Sequence, residues 1–273
     1  MPEISTVKHE RVIYYSDPLN DDFAGTDINT CEIKPDFRYV RRSPVWRLLS
    51  FLAYYALAVP IVWTVSKIWL GLRFENRSSI RKLRGKGFFL YGNHTQRLDA
   101  FVPSLAAFPV RAYIVAGPDA VSIPGIKNLV MMLGALPIPS SPSVLRRFIE
   151  SVGIRISEKS CVAVFPEAHI WPFYTGIRPF PDTSFRYPVL TGAPCVAMVT
   201  TYRRRRGLFS LFGRPGMTVT FSEIFEPDPV LPPRQAQAEL RRQAFEFMDG
   251  TSRGRKQICY YRYVRRQPDD PDR

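Results

Sequence analysis

The chain has 273 residues and 45% hydrophobic content, which fits one α/β domain with additions and an ordinary core. Its 38 basic and 24 acidic residues leave a formal charge of +14, a surplus that favours an anionic partner such as nucleic acid, an anionic bilayer or an acidic substrate. Four scattered cysteines, Cys31, Cys161, Cys195 and Cys259, form no CxxC pair, which argues against both a zinc site and a disulfide framework and favours a reducing, cytosol-facing setting.

In chain order, residues 1–43 are polar and mixed and read as an irregular N-terminal arm. No secretory signal is expected, because the first apolar block comes late. That block, Leu48 to Ser66, carries no charge and is long enough to span or embed in a bilayer. Trp46, Trp63 and Trp69 lie near its ends, as interfacial anchors do, and Pro60 interrupts it. Arg38, Arg41, Arg42 and Arg47 precede it, and Lys67, Arg73, Arg77, Arg81 and Lys82 follow. Basic flanks on both sides favour a bent, re-entrant or in-plane helix pair with both ends at the cytoplasmic face, over a single span. Residues 44–84 are therefore read as a membrane-associated helical segment.

From residue 85 the pattern alternates. Predicted strands are Phe88–Tyr91, Arg111–Ala116, Cys161–Phe165, Cys195–Thr201 and Met217–Phe221; predicted helices are Leu98–Phe108, Ile126–Leu133, Val144–Glu158 and Arg234–Met248. Ser141-Pro142 is a helix-start signal. The alternation predicts an α/β fold with a mixed, mostly parallel sheet flanked by helices over residues 85–253, with ligand sites at the strand C-termini. Arg203 to Arg206 fall in a loop between two strands and are read as a contact for anionic lipid headgroups. Residues 254–273 are a basic, aromatic tail whose acidic, Pro-rich end is expected to be disordered.

The stretch Asn93-His94-Thr95-Gln96-Arg97-Leu98-Asp99 follows the first predicted strand of that domain. Positions five apart on a helix differ by roughly 140° and cannot meet. With His94 in the turn and Asp99 in the first helical turn, they can. A carboxylate on one imidazole nitrogen fixes the tautomer and raises the basicity of the other. This is a Ser-His-Asp arrangement without its serine, so the hydroxyl must come from the substrate. Phe165-Pro166-Glu167-Ala168-His169 follows another predicted strand and falls on the same rim. The chain has three histidines, and two of them, His94 and His169, sit at strand ends in short polar motifs.

These residues resemble the PlsC-type glycerolipid acyltransferases, which include the 1-acylglycerol-3-phosphate acyltransferases. Asn93-His94 to Asp99 resembles their NHxxxxD motif, and Phe165-Pro166-Glu167 the start of their FPEGTR motif. Gly134-Ala135-Leu136-Pro137-Ile138 and Ala193-Pro194-Cys195-Val196-Ala197 resemble their second and fourth motifs, in the same order. The resemblance implies an acyltransferase at the cytoplasmic face of the cell membrane. It implies acyl-CoA or acyl carrier protein as donor, no other cofactor and no metal. In that role His94 is the general base, Asp99 its partner, and Glu167 helps to hold the lysophospholipid acceptor.

The chain departs from the family pattern in two places. The family's Gly-Thr-Arg is here Ala168-His169-Ile170, and the Arg of the second motif is replaced by Ser140 or a neighbour. Both usual phosphate ligands are thus missing. Arg97, Arg146, Arg147 and Arg178 are the candidate replacements, Arg178 foremost, and His169 is a candidate headgroup contact. The alternatives are a catalytically idle membrane homologue and a metal-dependent hydrolase built on His94, Asp99, Glu167 and His169. Nucleic acid is not an expected partner, since the bilayer segment accounts for much of the charge and no recognition motif appears.

Overall fold

The computed structural model describes residues 5–24 and 30–266. The acidic, Pro-rich end expected to be disordered lies outside the described residues. The centre is a seven-stranded sheet in the order β2-β8-β7-β3-β6-β4-β5. Its strands are β2 (Arg73–Glu75), β3 (Phe88–Gly92), β4 (Ala112–Ala116), β5 (Ala135–Pro137), β6 (Cys161–Val164), β7 (Cys195–Arg203) and β8 (Gly216–Phe225). β7, β3, β6, β4 and β5 run parallel; β8 is antiparallel to β7, and β2 follows β8. The mixed, mostly parallel sheet is the expected architecture.

Alternation along the strands feeds two cores, one on each face. Phe89, Tyr91, Val162, Val164, Cys195 and Ala197 face one; Phe88, Leu90, Cys161, Ala163, Val196 and Met198 face the other. Helices cover both faces, so the central strands read as continuous apolar runs. The edge strands β2 and β5 are each three residues long, the first ending in charges and the second in proline, which limits pairing with other chains. Because β3, β6 and β7 are parallel neighbours, the segments leaving their C-terminal ends meet on one rim.

One expectation is corrected here. The apolar block is not a helix pair but one continuous helix, α1 (Pro44–Ile68), among the described residues the one helix long and apolar enough to cross a membrane. It accommodates Pro60 after a wider π-helical stretch, Leu52–Ala58, which frees the ladder position a proline cannot fill. One stripe of α1 docks on the domain along much of its length. The Ser50 hydroxyl donates to the Met132 carbonyl (2.9 Å), Ala112 N–H donates to the buried Tyr54 hydroxyl (2.9 Å), and the Tyr55 hydroxyl donates to the Pro109 carbonyl (3.0 Å). Val62 and the buried Ser66 continue the stripe, while Leu48, Phe51, Leu52, Leu57, Ile61 and Trp63 stay exposed.

Part of the arm and part of the tail form strands. β1 (Ser5–Tyr15) pairs in parallel with β9 (Ile258–Arg265) in a separate two-stranded ribbon. Their aromatic residues converge on Trp171, which stacks on Tyr263 at 4.8 Å and meets a tilted Tyr15 ring at 4.7 Å. Trp171 is almost wholly buried. The signal for this was the repeated aromatics at Tyr14-Tyr15 and Tyr260–Tyr263; burying such rings orders segments whose polar backbone suggests a coil.

Candidate active site

The rim is built from β3 outward. Gly92 ends the strand where a Cβ would stand 2.5 Å from the Met198 terminal methyl and 3.2 Å from the Phe165 ring, so a larger residue would have to displace the methionine. Asn93 then pairs with the β7 backbone as if the strand continued. Its Nδ2 donates to the Thr200 carbonyl (3.1 Å), and Thr200 N–H donates to its Oδ1 (2.8 Å). This fixes the point at which the chain turns away. His94 follows, stacked on Phe165 at 4.6 Å, with its carbonyl accepting from Trp171 N–H (3.1 Å).

Asp99 lies in a 3-10 turn, Arg97–Phe101, and folds back on the loop. Its Oδ2 accepts from the N–H groups of Thr95 (2.6 Å) and Gln96 (2.7 Å) and stands 3.5 Å from His94 Nδ1. The carboxylate is 1% exposed and the imidazole 14%, so the ring joins a buried anion to the solvent-facing rim. At 3.5 Å the pair is longer than an ordinary N–H···O bond, and His94 Nδ1 and Asp99 Oδ1 carry no other hydrogen bond. Tyr202 supports the loop from β7: its hydroxyl donates to Thr95 Oγ1 (2.7 Å). Burial, and next the Asp99 charge, hold that phenol well above its ordinary pKa, so it remains a donor. Asn93 and Tyr202 are site-building residues that sequence reasoning missed. Asn93 was visible as a motif neighbour, whereas Tyr202 is 107 positions from Thr95 and had no local signal.

The second motif meets the first at β6. Glu167 is buried; its Oε2 accepts from His94 N–H (3.3 Å) and its Oε1 from Arg178 N–H (3.1 Å). Arg178 Nη2 completes the pair at 3.3 Å from Oε2, with both side chains 1% exposed. Burial holds the Glu167 carboxyl above its usual range, against the lowering pull of the Arg178 guanidinium and the two N–H donors. Arg178 also donates to the carbonyls of Glu167, His169 and Pro18 and lies over the Trp171 ring. Both residues were expected to help hold the acceptor; here the Arg178 guanidinium is engaged by protein groups, and the Glu167 carboxylate accepts from the backbone of His94.

The remaining candidates lie around this pair. His169 is half-exposed, with Nδ1 4.0 Å from Asp22 Oδ2. Arg97 donates to the Ala24 carbonyl, tying the arm to the dyad loop. Arg146 pairs with Glu150, and Arg147 donates to the Pro35 carbonyl. Among the described residues, no three of the His, Cys, Asp and Glu side chains converge as metal ligands would. Ala168, where the resembled motif has glycine, adopts the left-handed conformation at φ 62°.

The pattern of the family described as Acyltransferase matches residues 71–201. A search of curated proteins found no match. Among solved structures, the fold is similar to the crystal structure of the 1-acyl-sn-glycerophosphate (LPA) acyltransferase PlsC from Thermotoga maritima, with a TM-score of 0.50 and 16% identity, covering 77% of this chain and 98% of that one. The matched segment runs from just before β2, through the His94 and Glu167 turns, to the last residues of β7, so both turns lie within the stretch that is similar to the Acyltransferase family.

Proposed function

We propose that this protein transfers a fatty acyl group from an acyl thioester, acyl-CoA or acyl carrier protein, to a hydroxyl of a lysophosphatidate-like lysophospholipid. His94 acts as general base through Nε2 while Nδ1 is directed at Asp99. As the acceptor hydroxyl loses its proton to His94, its oxygen attacks the thioester carbonyl. The tetrahedral adduct collapses, the C–S bond breaks, and the departing thiolate takes the proton back from the imidazolium. The observation that carries this reading is the imidazole itself: one nitrogen lies 3.5 Å from a buried carboxylate while the ring keeps access to the rim.

A direct transfer agrees with the cysteines beside β3. Burial pushes the Cys195 thiol up to about 12 and the Cys161 thiol further, so neither supplies a thiolate nucleophile. Glu167, pinned by Arg178, holds the backbone of His94, while the half-exposed His169 and exposed Arg97 beside the two turns are candidate contacts for an acceptor headgroup. The acceptor is a membrane lipid. α1 supports an interfacial placement, because a helix docked along the domain and exposing Leu, Phe and Trp fits the plane of one leaflet better than an isolated span. Basic residues at both ends of α1 then meet anionic headgroups at the cytoplasmic face of the cell membrane.

The test is purified protein in membranes with labelled acyl-CoA or acyl carrier protein and a panel of lysolipids, read by mass spectrometry. Acylation of a lysophospholipid that is lost in His94→Ala is expected. No transfer to any acceptor from either donor would overturn the reading in favour of an idle homologue.

A further inference from the structure

At the C-terminal end of β7, the strand next to β3, is a cavity of about 920 Å³. β7 ends there at Arg203, and β8 and β2 begin there. The Arg203 to Arg206 run lines it with Lys67, Arg73 and Lys256, and no Asp or Glu is in the lining. Glu75 exerts an acidic influence on Arg203 but is already paired with Arg255. A cationic cluster without its own counter-charge is costly in self-repulsion, and burial together with Arg73 and Arg205 lowers the Arg203 pKa.

The cluster is also built, not splayed. Arg205, almost fully buried, donates to the Ile68 and Trp69 carbonyls at the C-terminal end of α1. Arg203 donates to the Gly71 carbonyl, and Lys67 to Leu72 (3.1 Å). These bonds fix the wall, whereas Arg204 and Arg206 stay exposed. Arg203 Nε is buried without a hydrogen-bond partner. Tyr202 links the wall to the dyad loop. Gln257 lines the cavity and accepts from Tyr202 N–H (3.0 Å), and the Tyr202 hydroxyl reaches Thr95, whose N–H is held by Asp99. Arg178, the arginine paired with Glu167, is consumed within the protein, so a phosphate near this site needs other cations.

We propose that this cavity is a phosphate-binding subsite that takes the phosphate-bearing part of a substrate of the reaction at His94. Its place in the reaction rests on the function proposed above; its affinity for phosphate does not. Guanidinium and ammonium groups facing one volume suit a multiply charged phosphate, whether it belongs to the nucleotide of a thioester donor or to the headgroup of the lysolipid.

The experiment uses the full chain in detergent micelles and the double variant Arg204→Ala/Arg206→Ala, whose exposed side chains hold no part of the wall. Calorimetric titration with adenosine 3′,5′-bisphosphate probes the nucleotide source. Lysophosphatidate against monoacylglycerol in phosphatidylcholine vesicles probes the lipid source. Binding of one phosphate probe should weaken about tenfold or more in the double variant, and not in Arg146→Ala. A loss confined to the bisphosphate assigns the donor, and a loss confined to lysophosphatidate assigns the acceptor. If neither probe moves, or if only binding to phosphatidylglycerol vesicles falls, the cavity is no substrate subsite and the proposal is overturned. His94→Ala should bind both probes like wild type. Binding without acyl transfer in the wild type would therefore sink the catalytic reading alone, and transfer without phosphate binding the cavity alone.

Discussion

The two flanks of β3 handle charge in opposite ways. On the β6 side, Glu167 and Arg178 are both 1% exposed, and each is surrounded by hydrogen-bond partners from the protein. On the β7 side, the cations around Arg203 face a cavity with no acid in its lining. A buried pair whose carboxylate oxygens and outer guanidinium nitrogens are engaged within the protein sets geometry and offers little to a ligand, although Arg178 Nε has no hydrogen-bond partner. Uncompensated charge does the reverse: it contributes little to the fold and is available to an anion. His94 sits between them, its backbone held from one side and its loop braced from the other.

The sharpest way to break this contrast is at the dyad. His94→Ala should reduce acyl transfer by roughly 10²–10⁴-fold, the usual contribution of a general base. Asp99→Asn should fall within the same range while leaving the urea midpoint nearly unchanged, because an amide oxygen still accepts from Thr95 and Gln96 N–H. Unaltered turnover in Asp99→Asn would remove Asp99 from the mechanism. Next in size is Arg178→Met, which leaves Glu167 buried without its cation and should cost about 3–5 kcal/mol in urea unfolding. Arg204→Ala, on the other flank, should change stability by no more than about 0.5 kcal/mol. Equal losses in these two variants would erase the distinction between the flanks. Tyr202→Phe removes one buried donor to Thr95 and should cost about 1 kcal/mol. Its kcat should fall several-fold at constant KM if the loop positions His94, whereas a purely structural tyrosine would leave kcat alone.

The sheet and its rim were legible because apolar runs such as Phe88–Tyr91 announce strands, and a polar motif after such a run announces a site. Strands β2 and β5 escaped notice because three residues carry no periodicity. β1 and β9 escaped because each finds its partner about 250 positions away, beyond any local pattern. His94 and Asp99 were readable by type and spacing. Arg178 was readable as a nearby arginine but not as a buried one, since nothing local reveals that Glu167 turns inward to meet it. The one-helix form of α1 was hidden by Pro60, which predicts a break that the π-helical stretch before it absorbs.

The smallest expected effect tests how firmly the Glu167 side is held. Ala168 occupies a left-handed turn at φ 62°, with its N–H donating to the Phe165 carbonyl (3.0 Å). A Cβ in that conformation costs about 1–2 kcal/mol, which neighbouring contacts must offset. Here those contacts are the Glu167–Arg178 pair and the Trp171 ring against Tyr15 and Tyr263. Ala168→Gly should remove the strain but add freedom to the unfolded chain, for a net stabilisation of about 1 kcal/mol or less in urea unfolding. Because the turn is already in place with alanine, kcat should stay within a factor of two. A large rise in kcat would mean that the alanine holds Glu167 away from its working position, and that this flank, like the other, is adjustable.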